Sequence, residues 1–555
     1  MSDVGTGIER IVLVGYGPVG ARFVEELLPL VRSGRAHLTV IGAEDADAYN
    51  RVLIAEYAVG RTDRETLEIT DTSAAREAGV LIRTGVSVTA INRTRRSVTL
   101  SDGTQVPYDR LVLATGARAN VPTLDGVKRV RRHMMMPTAD AASLDSAHAV
   151  LPRGVTVLRD LDDAHRVLAA VRAGRRLVVL GAGVLGMEIA LAAARAGSEA
   201  CVVYHGEIPM ARNLDRGGGT VLTRSARRAG VTMVNHSRAE SVLFQLDDDG
   251  VERFDALICA DGKQIHGDLL VLSCGVGART ELAALAGLSV STGILVDEFL
   301  RSWHDPAVYA IGDCAHVAAQ PAVGASKAVP PGGPSGLIGP GWRQADWLAA
   351  RFSADITGAN PGGQLPENRA AVVMLKAEGI DVVSVGNTAA DPWDAEPADH
   401  AGSCASVAVS VSQWADPEHG RYVKMVTRGG ILVGFISVGM PRTAAELTLL
   451  FERGSELPAD RSVLLRYDGP DYEPAAGGAF AVDATVCWCN GVTVGAINDA
   501  AAAGADTVAC IGTSTRAGTG CGGCKGRISE VLAQVAQVAQ VAQPAVADDA
   551  QEIVV

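Results

Sequence analysis

The sequence predicts an α/β protein of parallel strand-helix units, with two dinucleotide-binding loops, followed by an α+β domain and a small helical cysteine module. Three observations carry this. Short β-branched runs alternate with Ala/Leu/Arg-rich helical stretches up to about residue 350, as in IVLVGYG followed by PVGARFVEELLPLV. The pattern Gly-x-Gly-x-x-Gly occurs twice, each time after a strand and at the start of a helix. Four of the ten cysteines stand in two close pairs near the C-terminus.

The 555 residues fit three to five domains at roughly 100–200 residues each. A formal net charge of −13 argues against nucleic acid and anionic lipid as partners, since both require a basic face. The opening residues carry a glycine loop in place of the charged, apolar, small-residue order of a signal peptide. The longest apolar run, Leu177 to Gly197, contains Glu188 and the second glycine pattern, so it predicts strand, turn and helix rather than a membrane span. A cytoplasmic protein with no membrane partner is expected. In that setting clustered cysteines point to metal rather than to disulfides.

The first loop, Gly15-x-Gly17-Pro18-x-Gly20, follows the strand IVLVG. Its glycines permit a tight turn and bring backbone N–H groups to a pyrophosphate at the helix N-terminus. Glu44 follows the next strand, a little over twenty residues after Gly20, where a carboxylate accepts hydrogen bonds from a ribose. The second loop, Gly181-x-Gly183-x-x-Gly186, follows RLVVL. The strand after it ends on Tyr204 and His205, with Glu207 just beyond and Arg212 further on. An acid there suits NADH and an arginine suits NADPH. The sequence leans to NADH and leaves NADPH open.

Two further motifs are LVLATGA, with Thr115 and Gly116, and VYAIGDC, with Gly312 and Asp313. With these four motifs in this order the chain resembles the two-dinucleotide flavoprotein family, which has the glutathione-reductase-like fold. The resemblance implies FAD on Gly15, Gly17, Pro18 and Gly20, and NAD(P)H on Gly181, Gly183 and Gly186. It implies that the chain crosses between the two domains at Thr115-Gly116, and that Gly312-Asp313 holds the ribityl and phosphate region of the flavin. Asp313 would accept a ribityl hydroxyl, and a helix after it would turn its positive end to phosphate. The plain alternative for Asp313 is a helix cap. The resemblance also implies Arg51, in Tyr49-Asn50-Arg51, at the FAD pyrophosphate, and Glu188 near the nicotinamide or flavin edge. The alternatives are a solvated surface charge for Arg51 and, for Glu188, an acid in the first helical turn. No cysteine precedes Cys201, which excludes a disulfide reductase or cysteine-dependent peroxidase. Cys274 and Cys314 are expected to be buried small hydrophobes.

The expected order is an FAD-binding domain at 1–127, an insert at 128–153 with Met134, Met135 and Met136, and an NAD(P)-binding domain at 154–285. The second FAD-binding part follows at 286–352, and an α+β domain at 366–470. The cysteine module spans 483–538 and a low-complexity tail 539–555. Within the α+β stretch, Arg428-Gly429-Gly430 is a hairpin signal.

The cysteine module reads Cys487-Trp-Cys489, then thirty-one residues, then Cys521-Gly-Gly-Cys524. Thiolates in two close pairs suit a tetrahedral S4 metal site or a [2Fe-2S] cluster. VTVGAINDAAAAGADTV predicts one helix with a glycine stop, and KGRISEVLAQV another. Cys521 and Cys524 then lie near a helix N-terminus, whose dipole favours thiolate. The segment STRAGTGCGGCKG makes the module resemble the bacterioferritin-associated-ferredoxin-like [2Fe-2S] domain. That resemblance implies Cys487, Cys489, Cys521 and Cys524 as iron ligands, with a zinc knuckle as the alternative. Cys510 matches no partner by spacing.

Over nearly its whole length the chain resembles the N-terminal part of the NADH-dependent nitrite reductase large subunit. It also resembles the electron-transfer subunit of assimilatory nitrate reductase, and VMLKAEGIDVVSVGN adds to the likeness. No cysteine follows Cys524, so these residues cannot build a siroheme centre. An electron carrier serving a separate catalytic nitrate or nitrite reductase subunit is therefore expected. The implied relay is hydride transfer from nicotinamide to FAD, then single electrons to the cluster, because flavin handles both. It needs no acid or base, so no catalytic side chain is assigned. The competing readings are an NADH:acceptor reductase without a dedicated partner, the FAD/[2Fe-2S] subunit of an amino-acid dehydrogenase, and a redox sensor.

Overall fold

Runs such as IVLV and LVVL have no polar face, so their strands are stable only when covered on both sides. A computed structural model describes residues 8–127, 151–247, 250–320, 330–360, 362–365, 372–377, 379–393, 409–469, 480–520 and 522–542. The chain forms two compact units, residues 1–469 and 470–555.

In the first unit, strand Glu9–Val14 pairs in parallel with Ala36–Ile41 on one side and Arg110–Leu113 on the other. Leu81–Arg83 extends one edge, and Asp305–Ala310 joins Arg110–Leu113 in parallel. Leu13, Val40, Leu111 and Val308 are fully buried in this sheet. Helix Pro18–Arg32 covers it with Phe23 and Leu27, and Phe23 meets Phe352 of helix Ile338–Thr357 edge to face.

A second parallel sheet runs Val231–Val234, Ala200–Val203, Leu177–Leu180, Leu269–Leu272, Val155–Val157. Its residues are inserted between Arg110–Leu113 and Asp305–Ala310, which are neighbours in the first sheet. The chain departs along Ala117–Ala119 and returns along Val276–Ala278, and these two strands pair antiparallel. The apolar run from Leu177 is strand Leu177–Leu180 followed by helix Val184–Arg195. Among the described residues no helix is long and apolar enough to cross a membrane.

In each of these two sheets the strand order changes direction beside the glycine loop, which leaves a crevice at the carboxyl ends of the strands. Gly15 (φ +111) and Gly181 (φ +113) are held alike there. A Cβ on Gly15 would overlap the carbonyl of Ala114, and one on Gly181 the carbonyl of Ser273, so only glycine fits.

The third sheet is antiparallel, in the order Val373–Ala377, Ile380–Gly386, Ile431–Val438, Arg421–Arg428, Val409–Asp416. Gly429 and Gly430, at φ 59 and 83, close the hairpin between Arg428 and Ile431, as tight two-residue loops require. Side chains alternate between faces. Val423, Met425 and Phe435 pack under helix Pro441–Arg453, whereas Tyr422, Ile436 and Val438 join the core of the inserted sheet's helices. On that second face the Tyr422 hydroxyl donates to Asp215 at 2.5 Å, and the buried Lys424 ammonium lies 3.2 Å from the same carboxylate. Asp215 also caps helix Arg216–Arg228, accepting from the Gly218 amide at 3.0 Å.

The second unit has a small ribbon, Thr485–Cys487 with Val492–Thr493, and helices Val494–Ala502, Val508–Thr515 and Lys525–Ala542. The helix expected in VTVGAINDAAAAGADTV stops at its glycine, and a further helix that the sequence did not announce follows it. The first ends at Ala502, the chain turns at Gly504, and Thr507 starts the next by accepting from the Cys510 amide at 3.1 Å. Residues 539–542 continue the last helix. Residues 543–555, and residues 128–150 of the predicted insert with Met134, Met135 and Met136, lie outside the described residues.

Candidate active site

The first crevice is lined by Gly15, Gly17 and Gly20. Gly17 is the extended N-cap of helix Pro18–Arg32, with Pro18 in its first turn and no side chain capping it. Amides there remain open to an anion. Trp342 fixes the loop from behind by donating to the Pro18 carbonyl at 3.0 Å. Glu44 lies three residues past the end of strand Ala36–Ile41. Its carboxylate accepts from the Tyr49 hydroxyl at 2.8 Å and is paired with Arg51.

Arg51 is not a solvated surface charge. It is largely enclosed, and a Cβ on Gly17 would lie 3.8 Å from its Nε. It also donates to the Arg159 carbonyl at 3.1 Å. Burial works against its charge, but Glu44, Tyr49 and Asp160 together more than restore it. Arg159 donates to the Ala117 carbonyl at 3.0 Å and to Asp313 at 3.3 Å. Arg279 follows the returning strand and is fixed by its backbone: its amide donates to the Gly116 carbonyl at 2.9 Å, and the Thr115 hydroxyl donates to its own carbonyl at 3.0 Å. Among the described residues the Arg279 side chain has no ion pair. Burial, then the charges of Arg51 and Arg159, push its pKa down to about 10. Arg159 is lowered as well, by burial first and by Arg51 next. Three guanidiniums therefore converge on one place, and one of them, Arg279, has no ion pair among the described residues. A diphosphate offers these guanidiniums a negative counter-charge, so the donor set fits FAD.

Asp313 sits in a single 3-10 turn, Gly312–Cys314, where the Gly312 amide donates to Gln344 at 2.7 Å. Among the described residues no helix follows it directly: strand Ala315–Val317 comes next, and the next described helix starts at Ile338. Nor is Asp313 a helix cap, since it pairs with Arg159 instead. Cys314 is fully buried and its thiol donates to the Leu113 carbonyl at 3.2 Å, while Cys274 is only partly buried.

In the second crevice Gly183 is the extended N-cap of helix Val184–Arg195, and a Cβ built on it would meet nothing within 4 Å. That open space is what a diphosphate needs. Gly186 packs against the carbonyl of Gly181. Glu188 is buried and lies one residue beyond the first helical turn, so the dipole reading of this acid does not hold. After strand Ala200–Val203, Tyr204 is buried, His205, Glu207 and Arg212 are exposed, and Glu207 pairs with Arg216 at 2.8 Å.

In the second unit Cys487 and Cys524 are buried and Cys489 is half-buried. Cys524 immediately precedes helix Lys525–Ala542, and its carbonyl accepts from the Ile528 amide at 2.9 Å, which places it at the positive end of that helix. Cys521 lies outside the described residues, and among the described residues no three metal-ligating side chains form a group. The Asn490 amide, next to Cys489, reaches the Arg516 carbonyl at 2.7 Å and so ties the first cysteine loop to the segment leading into the second. Thiolate donors at a helix N-terminus fit iron-sulfur ligation. Cys510 is exposed.

Sequence reasoning missed Arg159 and Arg279. The available signal was position: both lie close to the strands by which the inserted sheet is attached.

Residues 9–328 match the family model for pyridine nucleotide-disulphide oxidoreductases, and residues 485–534 match the BFD-like [2Fe-2S] binding domain. Nitrite reductase [NAD(P)H] of Bacillus subtilis is 28% identical over 94% of this chain and 57% of its own length. The assimilatory nitrate reductase electron transfer subunit of the same organism is 26% identical over 93% of this chain and 58% of its own. The chain thus spans a little over half the length of these relatives. In structure it superposes on a ferredoxin reductase from Rhodopseudomonas palustris with a TM-score of 0.63 at 21% identity, covering 84% of this chain and 98% of that one. That likeness shows the fold. The cofactors that go with the two matched models are FAD, NAD(P)H and a [2Fe-2S] cluster. With more than half its length inside one family model, and two nucleotide crevices built alike, this chain belongs to the pyridine nucleotide-disulphide oxidoreductase family as an NAD(P)H-dependent oxidoreductase.

Proposed function

We propose that this chain draws electrons from NAD(P)H, NADH in preference, and delivers them through FAD and its [2Fe-2S] cluster to a catalytic nitrate or nitrite reductase. One observation carries the reading: a complete second nucleotide crevice stands in the same chain as a four-cysteine iron-sulfur module. FAD supplies the conversion between two-electron and one-electron transfer that such a pair demands.

The chain's own residues bind and orient. Gly15, Gly17, Pro18 and Gly20 receive the FAD diphosphate, with Arg51, Arg159 and Arg279 as its counter-charges. Glu44 serves the ribose, Asp313 with Gly312 the ribityl region, and Thr115-Gly116 the passage between the two sheets. Gly181, Gly183 and Gly186 take the NAD(P)H diphosphate, and Glu188 lies toward the nicotinamide. Cys487, Cys489, Cys521 and Cys524 hold the iron. The domain limits follow the same division, with 1–127 and 286–352 for FAD, 154–285 for NAD(P)H and 483–538 for the cluster. The names of the Bacillus subtilis relatives support nitrate or nitrite as the destination. Dependence on a reduced nicotinamide supports a cytoplasmic setting.

The test is anaerobic titration of the purified chain with NADH and with NADPH, followed by optical and EPR spectra. Bleached flavin absorbance together with a [2Fe-2S] signal is expected, at lower NADH than NADPH. A chain whose flavin resists both nucleotides would end the proposal.

A further inference from the structure

Asn490 occupies an unusual place in the cysteine module. It directly follows Cys489, yet its side-chain nitrogen points back between the two halves of the module. That nitrogen lies 2.7 Å from the Arg516 carbonyl, 3.4 Å from the Thr519 hydroxyl and 3.8 Å from the Cys487 sulfur. Arg516 ends helix Val508–Thr515 in the left-handed region at φ 63, a conformation that costs a non-glycine residue of order 1 kcal/mol. Its carbonyl accepts from Asn490 and, at 2.8 Å, from Thr519. From there residues 517–520 lead into the second cysteine pair.

An amide nitrogen carries two hydrogens. The Arg516 carbonyl takes one. The other is left for the Thr519 oxygen and the Cys487 sulfur, where a long N–H···S contact is made. A thiolate that ligates iron is a stronger acceptor than a thiol, because the bond is then charge-assisted. Hydrogen bonds to the sulfurs are among the factors that set the potential of an iron-sulfur centre.

We propose that Asn490 is a positioning residue for the iron-sulfur centre: it staples the loop of Cys487 and Cys489 to the loop entering Cys521 and Cys524, and lends an N–H to the Cys487 sulfur that raises the cluster's reduction potential. The reduced cluster carries one more negative charge than the oxidised one, so a donor at sulfur favours it. The inference rests on the cofactor assignment proposed above and extends it to a residue outside the ligand set.

The experiment is an EPR-monitored redox titration of the full chain as wild type, N490D and N490S. Asp keeps the shape of Asn without its donors, and Ser is neutral and too short to reach the sulfur. In both variants the ratio of reduced to oxidised cluster at a fixed potential should fall about tenfold, which for a one-electron couple is about 59 mV more negative. Flavin bleaching by NADH should be unchanged. An unmoved potential in a variant that holds its cluster overturns the proposal. A shift in N490D alone would report added charge and overturns it too. If neither variant holds a cluster, Asn490 is a folding residue and the proposal falls. A wild-type chain with no cluster signal would instead refute the cofactor assignment.

Discussion

Arg159 and Asp313 meet at 3.3 Å across the boundary between the inserted parallel sheet and the sheet that receives it. The same arginine offers its backbone carbonyl to Arg51, so a residue from the inserted segment completes the charge pattern of the first crevice. Replacing Arg159 by Ala removes a charge-assisted contact of about 1.5–3 kcal/mol. FAD should bind roughly 10- to 150-fold more weakly, measured by fluorescence titration of deflavinated protein. Unchanged affinity would remove Arg159 from the diphosphate site.

Arg279 should behave differently, because it has no ion pair among the described residues and its charge is disfavoured by burial and by its neighbours. R279A is expected to lower FAD affinity by about tenfold or more on the same physical ground. The flavin-free protein should melt no lower than wild type, since a repulsive charge has been taken away. A lower melting temperature in flavin-free R279A would show that the guanidinium has a structural partner.

The glycines of the second crevice separate folding from binding. A methyl group at Gly183 meets no protein atom, so G183A should fold and keep its FAD. It would intrude on the nucleotide, and the KM for NADH should rise about tenfold, equivalent to about 1.4 kcal/mol. G181A overlaps the Ser273 carbonyl at a backbone angle suited to glycine, and should lose on the order of 1–3 kcal/mol of stability. Steady-state kinetics and thermal melts of the two variants test the contrast.

Asp215 joins a helix to a strand of the antiparallel sheet. It caps helix Arg216–Arg228, accepts from Tyr422 and neutralises the buried Lys424. D215A should cost about 3–5 kcal/mol, since it leaves a buried ammonium without its counter-charge. The effect should appear as a melting temperature lower by several degrees. A loss below about 1 kcal/mol would mean that the Thr388 carbonyl, which accepts from Lys424 at 3.0 Å, suffices alone.

Cys521→Ser should abolish the iron-sulfur EPR signal and leave NADH-driven flavin bleaching intact, because the two cofactors belong to different compact units. Loss of both in one variant would contradict that independence.

Much of this was legible from short-range pattern. Gly15 and Gly181 announce their crevices because close backbone approach admits no other residue, and Gly429-Gly430 announces its hairpin for a related reason. Residues whose role comes from long-range topology were not legible. Arg159 and Arg279 are 120 residues apart in sequence and acquire a common purpose only when the chain departs and returns at one place. The helix beyond Gly504 was missed because eight residues are too few to show a period. The strand after Asp313 was missed because three residues carry almost no pattern.

The departing and returning strands lie side by side, with Ala119 opposite Val276 and Ala117 opposite Ala278. The inserted segment is therefore a cassette with adjoining ends. Its replacement by the corresponding piece of an NADPH-preferring relative requires two cuts at one spot and leaves the hydrogen-bond ladder of the host sheet untouched. The nucleotide crevice travels as one piece, and the flavin side is preserved only if the incoming piece keeps an arginine at the place of Arg159.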